Sequence, residues 1–157
     1  MEDLDLKNKI SEAVSKMTDW MALDSQVEVS EDREENGKVI LVSIFVREGA
    51  KLLIGKGGQN LKSLEQVLKS MFLKGSIGYR NIVVDVNDYK RSKATQIIEL
   101  ARSVVARVRS TQKAETLQPM SPYERRIIHM ELASYPDIIT ESIGSEPQRR
   151  IIVKPYL

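Results

Sequence analysis

The stretch Ile54-Gly55-Lys56-Gly57-Gly58-Gln59-Asn60-Leu61 decides how the rest of this chain is read. Gly55, Gly57 and Gly58 let the backbone turn tightly at positive φ. The apolar spacing that follows opens an amphipathic helix, whose first N–H groups have no partner within the helix. Backbone free of side chains beside a helix N-terminus can approach phosphate closely, and Lys56 adds a cation at the tip. A nucleotide-binding P-loop is the obvious rival; it needs Gly, four residues, then Gly-Lys and Ser or Thr. Ala50 stands at the first of those glycines and Gly57 at the hydroxyl position, so that reading fails twice.

Working outward, Arg47 to Ile54 is a short helical candidate running into the loop, and Leu61, Leu64, Val67, Leu68, Met71 and Phe72 recur at helical spacing after it. Helix, Gly-x-x-Gly loop and helix is the arrangement of a KH domain, whose loop clamps the backbone of about four single-stranded nucleotides. The bland alternative is a glycine turn with no ligand. Upstream, Leu6, Ile10, Ala13, Val14, Met17, Trp20 and Met21 form one apolar stripe, which predicts an amphipathic helix to about Leu23 with Trp20 in the core. Gln26 to Ser30 and Val39 to Val46 read as strands joined across Asn36-Gly37, a hairpin signal. Gly75 and Gly78 stop the helix after the loop, and the β-branched run Asn81 to Asn87 is a third strand. This order of elements resembles the type II KH domain, which implies a three-stranded sheet with helices on one face, ending near Asp88.

A long helix follows, with Ala94, Ile97, Ile98, Ala101, Val104, Val105 and Val108 on its buried side. Lys90, Arg91, Lys93, Arg102, Arg107, Arg109 and Lys113 are expected to give it cationic edges. Ser121, Pro122 and Glu124 then carry the signature of a capped helix start. That helix holds Arg125, Arg126 and His129 before Tyr135-Pro136 ends it. Asp137 to Ser142 and Gln148 to Lys154 read as strands turning around Gly144 and Pro147. Arg125 and His129, four residues apart, share a helical face: guanidinium offers a fork of donors to phosphate, and imidazole can donate to phosphate or stack on a base. Arg149 and Arg150 sit on the last strand, where alternation turns one of them outward. On spacing alone, His129 reads equally as a satisfied structural residue.

Wider context adds to the spacing. The segments LQPMSPYERRIIHMEL and TESIGSEPQRRIIV resemble the single-stranded nucleic-acid-binding domain named for its Arg-x-x-x-His pair, the R-three-H domain, including Ser142, Gly144, Glu146, Pro147 and Arg149 of the hairpin. Such a domain directly after a type II KH domain resembles the Jag family of bacterial RNA-binding proteins, also called KhpB or SpoIIIJ-associated proteins. The resemblance implies an α+β chain of two small domains: a type II KH domain over 1–88 and an Arg-x-x-x-His domain over 89–157. It assigns nucleic-acid contact to Gly55, Lys56, Gly57 and Gly58, with Gln59 and Lys62 on the next helical turn, and to Arg125, Arg126, His129, Arg149 and Arg150. Gly57 stands where the family often has a larger or charged residue, so weaker phosphate contact with an intact turn is expected. Many members also carry a further N-terminal domain, whereas this sequence opens almost directly on the first KH helix.

Composition narrows the function classes. With 157 residues, 41% of them hydrophobic, the chain can bury one sizeable core or two small ones, and the element order favours two. It has no cysteine, which removes disulfides, thiol nucleophiles and thiolate metal sites. A single histidine and the lack of spaced carboxylate clusters give no metal, cofactor or catalytic constellation. A nuclease using His129 with Glu124 or Glu131 is therefore the weaker alternative. No apolar run approaches the length of a membrane span, and the acidic N-terminus is no targeting signal, so a soluble cytoplasmic protein without membrane insertion is expected. Residues 1–36 hold four Lys or Arg against eleven Asp or Glu, and residues 37–157 hold twenty against eleven. This asymmetry steers a polyanion toward the later part of the chain.

Together these features predict a binding protein for single-stranded RNA, with single-stranded DNA as a second candidate, acting as an RNA chaperone or post-transcriptional regulator. Aromatic residues are only 5% of the chain, which argues against broad stacking platforms and for modest base preference. A protein-interaction module is the alternative; the family resemblance implies a small single-KH protein as its partner.

Overall fold

A computed structural model of the chain describes residues 2–75 and 78–156. It divides into two compact units, with the division after Lys90.

The first unit runs α1 (Glu2–Trp20), β1 (Ser25–Glu34), β2 (Gly37–Val46), α2 (Ala50–Ile54), a single 3-10 turn over Lys56–Gly58, α3 (Gln59–Phe72) and β3 (Tyr79–Val86). β1 and β2 form an antiparallel hairpin from Ser25 opposite Val46 to Glu34 opposite Gly37, so the turn is the two residues Glu35-Asn36. Gly37, at φ 135°, closes it in a region that a side chain disfavours. β2 then pairs in parallel with β3, from Lys38 opposite Tyr79 to Ile44 opposite Val86. Parallel neighbours need a long crossover, and α2, the glycine turn and α3 supply it. Strand alternation puts Ile40, Val42, Ile44 and Val46 on the same buried face as Ile82, Val84 and Val86. Ile10, Val14, Leu53, Leu61 and Leu68 cover that face from the helices. Each such side chain contributes about 1.5–3 kcal/mol of burial.

Trp20 is a correction to the expected core: it is 85% exposed. The buried line of α1 is Ile10, Val14 and Thr18, and Trp20 lies two residues past Thr18, about 200° around the helix. Thr18 can be buried because its hydroxyl donates within its own helix, to the Val14 and Ser15 carbonyls at 3.2 and 2.9 Å, and accepts from Ser25 Oγ at 2.6 Å. α1 ends where Ala22 turns to φ 56°.

α4 (Tyr89–Thr111) leads into the second unit, followed by β4 (Glu115–Thr116), α5 (Pro122–Leu132), β5 (Ile138–Ile143) and β6 (Arg150–Pro155). The three strands form an antiparallel sheet in the order β4-β6-β5. Ile97, Ala101, Val104, Val105 and Val108 of α4 pack with Ile128 and Leu132 of α5 and with Ile138, Ile151 and Val153 of the sheet. α5 starts as its sequence dictates: the Ser121 hydroxyl accepts from Glu124 N at 3.3 Å, the Glu124 carboxylate accepts from Ser121 N at 2.8 Å, and Pro122 holds the first turn. β4, only two residues long, was outside the sequence expectation. The fold as a whole is α+β.

Candidate nucleic-acid interface

The glycine turn of the first unit has a definite shape. Gly55 sits at φ 71°, ψ 177°, a region open essentially to glycine alone, and its N–H closes α2 on the Lys51 carbonyl at 2.8 Å. A Cβ at Gly55 would stand 2.6 Å from Asn60 Cγ and 2.9 Å from Asn60 N. Asn60 occupies that space because its side-chain amide donates to the Leu52 carbonyl at 2.8 Å, tying the start of α3 to the end of α2. Gly57 and Gly58 are both left-handed; a Cβ at Gly58 would meet the Tyr89 ring at 3.2 Å, whereas one at Gly57 meets nothing within 4 Å. Gly57 is thus the open tip of the turn.

No side chain caps the N-terminus of α3, so its first amides keep their donors for solvent or an anion. Lys56, Gln59 and Lys62 are exposed around that terminus, and neither lysine is ion-paired among the described residues. Beside it lies an open, largely apolar hollow of about 460 Å³, bordered by Met17, Trp20 and Met21 of α1, Leu52 of α2, and Asn60 and Leu64 of α3. Asn60 and Leu52, the two residues that brace the turn, also line this hollow.

In the second unit the cations fall into two groups. Those expected along α4 are largely paired: Arg102 with Glu131 at 2.8 Å, Arg107 with Glu115 at 2.6 Å, Arg109 with Asp137 at 2.6 Å and Lys93 with Glu124 at 3.3 Å. The hydrogen bond from Arg109 holds the Asp137 carboxyl below its usual range. These pairs are mostly exposed, so they fix geometry more than they stabilise. Glu124 and Glu131, the two carboxylates considered as partners for His129 in hydrolysis, are engaged in the helix cap and with Arg102 respectively.

The second group is the predicted site. His129 is partly buried, and its Nδ1 shares a 2.7 Å hydrogen bond with Thr140 Oγ1 on β5. Burial, then the neighbouring Arg125 charge, holds its imidazole below the ordinary value of 6.5, so at neutral pH it is uncharged. Arg149 is exposed and donates from Nε to Ser142 Oγ at 2.8 Å. Thr140 and Ser142 are two apart on one strand and share a face, which puts His129 and Arg149 at neighbouring positions. Arg126 is exposed without an ion pair among the described residues, while Arg150 folds back on the Gln148 carbonyl at 3.1 Å. Arg125 differs from all of these: it is 7% exposed and bonded to the Met120 carbonyl and Glu146. Sequence reasoning did not single out Thr140. Its signal was the alternation that aligns it with Ser142.

The family model of the R-three-H domain matches residues 95–155, so the chain is an R-three-H-domain protein. It is 32% identical over 148 residues to the RNA-binding protein KhpB of Clostridium symbiosum, an alignment covering 94% of this chain and 65% of that protein. With the RNA-binding proteins KhpB of Lactiplantibacillus plantarum and Bacillus subtilis it shares 35% and 34% identity, covering 65% and 68% of this chain and 32% and 52% of those proteins. The chain is a homologue of the KhpB, or Jag, proteins, and it spans between about a third and two thirds of the length of these relatives. Among the described residues, no helix is long and apolar enough to cross a membrane, and no group of acidic residues and histidine is arranged to hold a metal ion.

Proposed function

We propose that this protein binds single-stranded RNA through two surfaces and acts in the cytoplasm as an RNA chaperone or post-transcriptional regulator. The observation that carries the reading is the uncapped start of α3 behind a glycine turn, with exposed Lys56 and Lys62 and, among the described residues, no carboxylate paired to either. In this reading residues 1–88 work as a type II KH domain. Gly55, Lys56, Gly57, Gly58 and Gln59 hold the sugar-phosphate track, Lys62 adds charge, and the apolar hollow beside the turn receives bases. Residues 89–157 form the R-three-H domain, with His129, Arg126, Arg149, Arg150 and the Arg125 of its name at a second stretch of the strand. Two linked weak modules gain apparent affinity through effective concentration. The names of the relatives as RNA-binding proteins support RNA over DNA, and binding involves no covalent step.

A second reading has one observation in its favour: Trp20, Met21 and Leu52 leave the hollow edged by exposed apolar surface, which suits a protein partner such as a small single-KH protein. Fluorescence-anisotropy titration of matched single-stranded RNA, single-stranded DNA and duplex RNA at two salt concentrations separates the two. Tightest binding to single-stranded RNA, weakening as salt rises, supports the first reading. Absence of binding to all three transfers the hollow to a protein partner.

A further inference from the structure

The second unit holds one cation that its own fold has withdrawn from solvent. Arg125 Nη1 donates to the Met120 carbonyl at 2.6 Å and Nη2 to Glu146 Oε1 at 2.5 Å. Met120 is fixed from its other side as well, its N–H donating to the Arg149 carbonyl at 3.2 Å. Glu146 lies in the turn between β5 and β6, which the Gln148 N–H closes on the Ser145 carbonyl at 2.8 Å. That same turn delivers Arg149 to Ser142. Arg125, Met120, Glu146 and Arg149 therefore form one connected set joining the start of α5 to the β5-β6 turn.

The set divides the labour between two arginines. Both terminal nitrogens of Arg125 are occupied and the residue is 7% exposed, so a phosphate would have to displace Glu146 and reach a buried group. Arg149 uses only Nε among the described residues, and its terminal nitrogens, the fork that matches phosphate, remain available in an exposed position. We infer that Arg125 is a positioning residue for the R-three-H surface and not one of its anion contacts: through Glu146 it fixes the turn that presents Arg149 beside His129. This rests on the reading of the second unit as a binding surface for single-stranded RNA.

The test uses the sign of an effect. Glu146 has a side chain 53% exposed, so Glu146→Ala and Glu146→Gln leave the core of the unit intact, which thermal unfolding verifies. Both variants of the full chain are titrated with a single-stranded oligoribonucleotide across a series of salt concentrations. If Arg125 contacts RNA, deleting Glu146 frees its guanidinium and removes a negative charge; affinity rises and the slope of log K against log salt steepens by about 0.7. If Arg125 positions the turn, Glu146→Ala weakens binding about fivefold despite the more positive protein, the equilibrium factor of about 1 kcal/mol, and the salt dependence becomes shallower as Arg149 is released. Glu146→Gln keeps an amide oxygen for the Nη2 bond and is expected to recover most of that loss. Tighter binding, no change, or an equal loss in both variants overturns the inference. Failure of the unsubstituted chain to bind the oligonucleotide removes the reading beneath it.

Discussion

Replacing Gly55 by alanine isolates what the glycine turn requires. At φ 71°, ψ 177° the residue occupies a region that costs a side chain on the order of 1–3 kcal/mol before any contact is counted. The added Cβ then meets Asn60 at 2.6 Å from its side chain and 2.9 Å from its backbone nitrogen. The side chain could rotate away only by giving up its bond to the Leu52 carbonyl, and the backbone nitrogen belongs to the first turn of α3. Adding a lost hydrogen bond of about 1 kcal/mol gives roughly 2–4 kcal/mol in all. Gly57→Ala is the internal control: φ 61°, ψ 20° is ordinary left-handed backbone and the Cβ enters open space, so its cost is about 1 kcal/mol. For a unit of this size each kcal/mol lowers the melting temperature by about 4–8 °C. Scanning calorimetry should therefore show the first unit of Gly55→Ala melting roughly 10–25 °C lower, and that of Gly57→Ala by no more than about 8 °C. Equal shifts, or a larger shift for Gly57→Ala, would refute the view that Asn60 braces the turn against Gly55.

Two further outcomes follow from burial and charge. Because His129 is held below its ordinary pKa, the folded protein favours its neutral form; the associated stability is fully present above about pH 6.5 and is lost as pH falls through the lower folded value. RNA affinity should move the opposite way, rising in that same acidic window as the imidazole gains a proton, and His129→Asn should remove both trends in melting and titration curves; a pH trend that persists in the variant contradicts the assignment. Trp20→Ala should change stability by no more than about 0.5 kcal/mol in denaturant unfolding, as for a surface site, where a core tryptophan would cost about 3–5 kcal/mol.

The parts of this fold legible in the sequence are those governed by local rules. Positive-φ glycines at 55, 57 and 58, the Asn36-Gly37 hairpin, the Ser121-Pro122 helix start and the 3.6-residue spacing of α3 and α4 all depend on neighbours within one or two turns. Trp20 was misplaced because α1 has two adjacent apolar rows. The row that is buried continues through a threonine, whose burial depends on Ser25 beyond the helix end. β4 is too short for any periodicity and exists only through pairing with β6. The cations of α4 looked available because their acidic partners stand far along the chain, Glu131 being 29 residues from Arg102. At the R-three-H site, spacing correctly put Arg125 and His129 on one face of α5. Depth was not legible: it is set by the β5-β6 turn folding Glu146 onto the guanidinium.

The central claim is that one RNA strand is held by both units. Its most direct measurement is a thermodynamic cycle of single-stranded RNA affinity at fixed salt, comparing the unsubstituted chain, Lys56→Asp/Gly57→Asp in the turn, His129→Ala/Arg149→Ala in the R-three-H domain, and the combination. Each pair of substitutions alone should weaken binding at least about tenfold, the factor for about 1.4 kcal/mol, with the combination weaker than either and all variants folded. If either pair leaves affinity unchanged, RNA is held by one unit and the two-surface account is wrong.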